Sequence, residues 1–461
     1  MSATRSSEER VQEALSKIES IDKSGYKLNS VIATSKTALD EARNYDRSGK
    51  NLPLDGEPIL IKDNIEVRGL PASAGSLALF GEPMERDATL VTRLREAGAI
   101  IIGATNLSEW ANIRSTKSTS GWSGVGGLTA NPWIHNRSAG GSSSGSGAAV
   151  AAGLTQWAIG SETDGSIICP SSLNGTVGIK PSGGSIPAHG VIPISRSKDV
   201  PGPMTQTVSQ AAELLAVLLQ RPELRDTGLT VDSSKANSLR FARVTSWTTP
   251  HEQTNVLLED AIRKISRLSI SIHEIDIPEP SEADSHDEFE VLLHELRDDL
   301  ADYLSTRPNS PIKSLQEVID FNERNREREL QHFHQDLFLK AIELQGKNSD
   351  YVNKFERNLT WAQGVLNKGF ADSDILIGCT YAPAWTSNLE TGDSNIEASW
   401  ITMAPAIAGY PIGTVPMGIA DGLPIGIGVV ARKGREDQLI AAMSMIERVL
   451  GLGVLKPTFI K

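Results

Sequence analysis

Cysteine is scarce in this 461-residue chain. Only Cys169 and Cys379 occur, far apart and without neighbouring ligands at metal-binding spacing. A disulfide framework and a structural zinc site are therefore not expected, and two buried reduced thiols are. No apolar run reaches membrane-spanning length, so no transmembrane helix is expected. The start, Met1-Ser2-Ala3-Thr4-Arg5, has no apolar signal core, and a soluble cytoplasmic protein is the expectation. Positive charge is in deficit: 45 Lys and Arg face 57 Asp and Glu, a net charge of −12. Such a chain is repelled by phosphate, so neither nucleic acid nor an anionic membrane is an expected partner. The eight histidines are scattered without a ligand pair. No metal and no cofactor is expected.

Apolar residues at 39% and charged residues at 22% are near the globular average and exclude wholesale disorder. Residues 1–50 read as helical, with Val11, Leu15, Ile18 and Ile21 on one stripe and a second helix ending before Ser48-Gly49. Pro58-Ile59-Leu60-Ile61 and Ala99–Gly103 read as buried strands, separated by a helix opening at Thr89. Strand, helix, strand at this spacing predicts an α/β fold, a mixed sheet covered by helices on both faces. Sixteen of the 40 glycines fall between 121 and 200, whereas 229–345 has none. Phe289, Leu292, Leu293 and Leu296 predict an amphipathic helix in that middle stretch. Short strands return after 371, and a last helix covers roughly 434–450. The expected organisation is one domain over 1–461: N-terminal helices (1–50), a core (51–215), a mostly helical insertion (229–370) and the C-terminal part of the core (371–461).

Three segments carry chemistry. Gly140-Gly141-Ser142-Ser143-Ser144-Gly145-Ser146-Gly147 runs into a small-residue helix. It lacks both phosphate-loop patterns. Gly141–Gly145 matches G-x-S-x-G, but no apolar strand precedes it and no histidine motif follows, so a nucleophile elbow is not expected. Ser161-Glu162-Thr163-Asp164-Gly165-Ser166 is the second segment. The third is Lys62-Asp63-Asn64 at the end of a buried strand. Burial disfavours a charged lysine, so Lys62 is either salt-bridged to a carboxylate such as Asp63 or functional.

Together these segments resemble the amidase signature family. The resemblance continues through Gly175–Pro181, Pro193-Ile194-Ser195, Gly202-Pro203-Met204, Ala408–Pro411 and Val415–Gly418, and covers about 50–215 and 375–450. The helical middle, with Phe289–Leu293, resembles the branch that contains bacterial peptide amidases. The resemblance implies an amidase acting on a linear carboxamide, peptide C-terminal amides included, through an acyl-serine. Ser166 would be the nucleophile, Ser142 the bridging serine behind a cis Gly141-Ser142 peptide, and Lys62 the base. Backbone N–H groups of Thr163, Asp164, Gly165 and Ser166 would form the oxyanion hole, Gly141 and Ser143 would join them in binding substrate, and the Asp164 side chain would brace the loop. Ser143 would either support Ser142 or be a plain loop serine, and His189 lies in a loop near the substrate in the family.

The chain departs from many relatives at Ser144-Gly145 and in Gly378–Trp385, a segment that borders the acyl pocket in relatives. Two other readings stay open. One is the amidotransferase subunit that takes ammonia from glutamine for charged tRNA, although its turn usually reads Gly-Gly-Ser where this chain has Asp164-Gly165-Ser166. The other is an inactive ligand-binding homologue. The resemblance implies a small amide substrate as partner and a monomer or homodimer.

Overall fold

A computed structural model describes residues 5–81, 83–229 and 238–458. The first four residues, position 82, the start of the middle stretch (230–237) and the last three residues lie outside the described residues.

The strands are β1 (Val31–Thr34), β2 (Pro58–Lys62), β3 (Ile100–Thr105), β4 (Trp122–Ser123), β5 (Gly127–Leu128), β6 (Trp157–Glu162), β7 (Val177–Lys180), β8 (Val200–Thr205), β9 (Phe241–Val244), β10 (Ile272–Ile275), β11 (Ile375–Cys379), β12 (Ile412–Ala420) and β13 (Leu423–Ala431). β4 and β5 form a small ribbon. The rest make one eleven-stranded sheet in the order β1-β3-β2-β6-β8-β7-β12-β13-β11-β9-β10. β2 runs parallel to β3 and β6, while β8 is antiparallel to β6. The mixed α/β sheet read from the sequence is observed. Alternate residues of β2 point to opposite sides: Ile59 and Ile61 join one core cluster and Leu60 another, so both faces are buried.

β8 carries Pro201 and Pro203, which cannot donate to a ladder. Both prolines stand opposite β6, Pro203 at Ile159 and Pro201 at Ser161, while the pairing with β7 is confined to Thr205 and Met204. β9 and β10 fall within residues 229–370 and extend the same sheet.

The helix Glu282–Ser305 opens on a capping box: the Ser281 hydroxyl accepts from Asp284 N, and Ser281 N donates to Asp284. Leu293, Leu296, Leu300 and Tyr303 on this helix pack with Ala72, Ala74, Trp110 and Ile192 of the core loops. Phe289, expected on the same apolar face, is 38% exposed. Leu293 and Leu296 are buried as expected, and carboxylates, Glu288 and Glu295 among them, are buried beside them. Both cysteines are free and buried, as expected. Among the described residues no helix is long and apolar enough to cross a membrane.

Candidate active site

Lys62 ends β2 and Ser161 nearly ends its parallel neighbour β6, so the two meet where the strands give way to loops. Lys62 is fully buried. Its Nζ lies 2.8 Å from Ser142 Oγ, 3.1 Å from Ser161 O and 3.0 Å from Ser161 Oγ. It makes no ion pair among the described residues, so the salt-bridged alternative falls. Asp63 turns away and accepts from Ser73 and Gly75. Asn64 returns to the lysine side and donates to Ser161 Oγ at 2.9 Å. Burial pulls the Lys62 amine down to about 7, against the opposing pull of Asp199 and Glu162.

The Gly/Ser loop delivers Ser142 to this amine. The Gly141–Ser142 peptide is cis. Ser143 does not support Ser142 through its side chain. Its hydroxyl donates to Ser161 O (3.0 Å) and accepts from Ser161 N, and its N–H donates to Ser166 O (3.1 Å). The loop is thereby stitched to the end of β6. No strand precedes it: residues 132–136 are turns and bends, Arg137 makes only an isolated bridge to Thr386, and the buried helix Ser144–Ala151 follows. The elbow geometry is absent, as expected. Gly145 sets how closely this helix can approach. A Cβ there would lie 2.3 Å from Ser30 O and 2.5 Å from Asn106 O, both backbone atoms. Gly145→Ala is expected to cost about 1–3 kcal/mol of stability, read as a lower denaturant midpoint at unchanged slope.

Ser166 follows the turn after β6, just ahead of the buried helix Ile168–Asn174. Glu162 braces that helix start: one carboxylate oxygen accepts from Ile167 N (2.7 Å) and Ile168 N (2.9 Å). Thr163 is held through its hydroxyl, which donates to Asp199 at 2.5 Å. Asp164, expected to brace the loop, is hydrogen-bonded to Thr402 outside the turn, while its Oδ1 is buried without a hydrogen bond among the described residues. Its neighbours Glu162 and Thr163 also secure the turn. Gly165 has φ +77°, and a Cβ on it would lie 2.7 Å from the Tyr381 hydroxyl. Among the described residues no acceptor meets the backbone N–H of Thr163, Asp164, Gly165 or Ser166, and no hydrogen bond forms at Ser166 Oγ. Four free donors in succession offer a place for an anionic oxygen.

Sequence reasoning missed the parts played by Ser161, Glu162 and Asp199. Glu162 and Ser161 lay inside a quoted motif, but nothing local says which groups they meet. His189 is exposed, and among the described residues only its carbonyl is engaged, by Thr89 N. The one group of described residues with metal-ligand chemistry is Glu290, His294 and Asp350, and it contains none of the residues above. Lys340 and Lys354 already pair with Glu290, and Lys354 with Asp350.

A family model described as Amidase matches residues 9–440. A probable amidase of Arabidopsis thaliana is 34% identical over 447 residues, 92% of this chain and 83% of that protein. A glutamyl-tRNA(Gln) amidotransferase subunit of Methanosarcina mazei is 31% identical over 435 residues, 92% of this chain and 90% of that one. The solved structure of the native peptide amidase from Stenotrophomonas maltophilia matches with a TM-score of 0.88 at 36% identity, covering 96% of this chain and 93% of that chain. A match of this extent in family model, sequence and structure leaves one assignment: the chain belongs to the amidase signature family, in its peptide amidase-like branch, and is a serine amidohydrolase of amide C–N bonds.

Proposed function

We propose that the enzyme hydrolyses linear carboxamides, C-terminal peptide amides among them, with Ser166 as nucleophile, Ser142 as relay and Lys62 as base. The observation that carries this reading is the buried 2.8 Å contact between Lys62 Nζ and Ser142 Oγ, with no carboxylate paired to the lysine among the described residues. A serine hydroxyl is a weak nucleophile until a base takes its proton, and an amine is a base only when neutral. Ser142 both donates and accepts, so it passes the Ser166 proton to Lys62. Ser166 Oγ then bonds to the amide carbon, and the carbonyl oxygen becomes an oxyanion facing the free N–H groups of Thr163–Ser166. Collapse breaks the C–N bond, and the proton returns through Ser142 to the departing nitrogen. Water attacks the acyl-Ser166 by the same route and releases the acid. A monomer or homodimer with no further protein suffices for these steps.

The test is ammonia release from an amidated dipeptide and from free glutamine. Turnover of the amidated dipeptide, absent for its free acid, supports the reading. Turnover of glutamine alone, rising when partner proteins are added, would point to the amidotransferase type instead. Gly165→Ala is a further check. Its Cβ meets the Tyr381 hydroxyl at a backbone conformation side chains rarely adopt, so the donors shift. The expected loss is about 10²-fold in kcat, with KM little changed, in steady-state assays.

A further inference from the structure

We propose that Glu295 and Asp199 are positioning residues, the two ends of a hydrogen-bonded strut by which the outer helical layer sets the Thr163 turn. The inference rests on the reading of Thr163–Ser166 as the oxyanion hole.

The strut begins on the helix Glu282–Ser305. Glu288, Glu295 and Asp299 stand at spacings of seven and four, so they share one face. All three are buried, Glu295 to 1% exposure. Burying carboxylates is costly unless donors meet them, and here the donors come from one short segment. Ser195 Oγ donates to Glu295 at 2.6 Å and Ser197 N at 3.3 Å to the same oxygen. Arg196 N donates to Asp299 at 2.8 Å, and Lys198 Nζ pairs with Glu288 at 3.3 Å. Four consecutive residues are thus fastened to one helix. The second oxygen of Glu295 is fixed by the Tyr351 hydroxyl at 2.6 Å. No cation pairs with Glu295 among the described residues, so its contacts are directional hydrogen bonds.

The next residue carries the strut inward. Asp199 accepts from Ile194 N (2.8 Å) and Ser195 N (3.0 Å) on one oxygen, and from the Thr163 hydroxyl (2.5 Å) on the other. Thr163 is the first residue beyond β6, where the free N–H donors begin. Ser195 thus touches both ends: its hydroxyl meets Glu295 and its N–H meets Asp199. Oxyanion donors must be held to a fraction of an ångström, and side chains on rigid elements do this best.

A double-mutant cycle in the full-length enzyme, assayed on an amidated dipeptide, tests the strut. Glu295→Ala is expected to lower kcat about tenfold with KM within about twofold. Glu295→Gln is expected to restore it, because its amide oxygen accepts from Ser195 and Ser197 and its NH2 donates to Tyr351. In a Thr163→Val background, where the inner end is already cut, Glu295→Ala should add less than about a twofold loss. If Glu295→Ala does not fold, Ser195→Ala takes its place in the cycle. The strut is overturned if the outer substitution leaves kcat unchanged, if its loss multiplies with that of Thr163→Val, or if Gln fails to rescue. A wild type that releases no ammonia, or a Ser166→Ala variant that still does, would overturn the site reading itself and the strut with it.

Discussion

Alanine at Ser166 is expected to lower kcat by about 10⁶-fold with KM nearly unchanged, because the group that forms the acyl-enzyme is gone while the walls of the site remain. The substitution removes one hydroxyl that makes no hydrogen bond among the described residues, so the fold should be intact. Two measurements check this. Steady-state ammonia release gives the rate. Intact mass after a fluorophosphonate gives the chemistry: one adduct on the wild type, mapped to Ser166, and none on Ser166→Ala. A wild type that takes no adduct while well folded would count for the ligand-binding homologue. Ser142→Ala is expected to lie close to Ser166→Ala, since members of a proton relay act as a unit and their losses do not add.

Lys62→Met is expected to cost about 10⁴-fold and to erase the acid limb of the pH profile. The sign follows from which form works. The neutral amine is the base, and it dominates above its pKa, which burial brings down to about 7. kcat/KM should therefore rise about tenfold per pH unit below that value and level off above it. Asp199 acts on the same amine by charge and is itself pushed up to about 7 by burial, so the observed limb belongs to the coupled groups. The negative charge of Glu162 also holds the Lys62 value up. Glu162→Gln should accordingly move the limb to lower pH, while its remaining carbonyl oxygen still accepts from Ile167 and Ile168. A limb that stays put in that variant would show that Glu162 does not act on Lys62 by charge.

The parts of the site that could be read in advance are those written contiguously. Pro58–Lys62 declares itself a buried strand because both its faces are apolar, and a lysine at its end is conspicuous for that reason. The Gly/Ser loop and the turn to Ser166 are short enough for spacing to carry meaning. Residues whose role depends on a distant partner were not legible. Ser143 reads as a neighbour of Ser142, yet its hydroxyl goes to Ser161. Asp199 reaches Thr163 from just ahead of β8, whose pairing with β6 sets the two side by side though they are far apart in the chain. Phe289 fits an apolar stripe, yet it is exposed, while the helix buries carboxylates beside its leucines where the segment 195–198 brings donors to them. Periodicity records which positions are apolar; it is silent on buried polar faces that are satisfied from elsewhere.

The sheet order has a consequence for how the molecule is made. The two halves of the sheet join where Lys180 on β7 pairs with Ile412 on β12. β9, from the middle of the chain, waits for β11 before it gains its neighbour toward the sheet centre. During synthesis, therefore, β6, β8 and β7 leave the ribosome with an open hydrogen-bonding edge that nothing can close until the last tenth or so of the chain has emerged. Such high contact order predicts slow folding and a long exposure of apolar edge to other chains. A chain truncated before β12 should accordingly collect as aggregate, even though every residue proposed for the chemistry has already been translated.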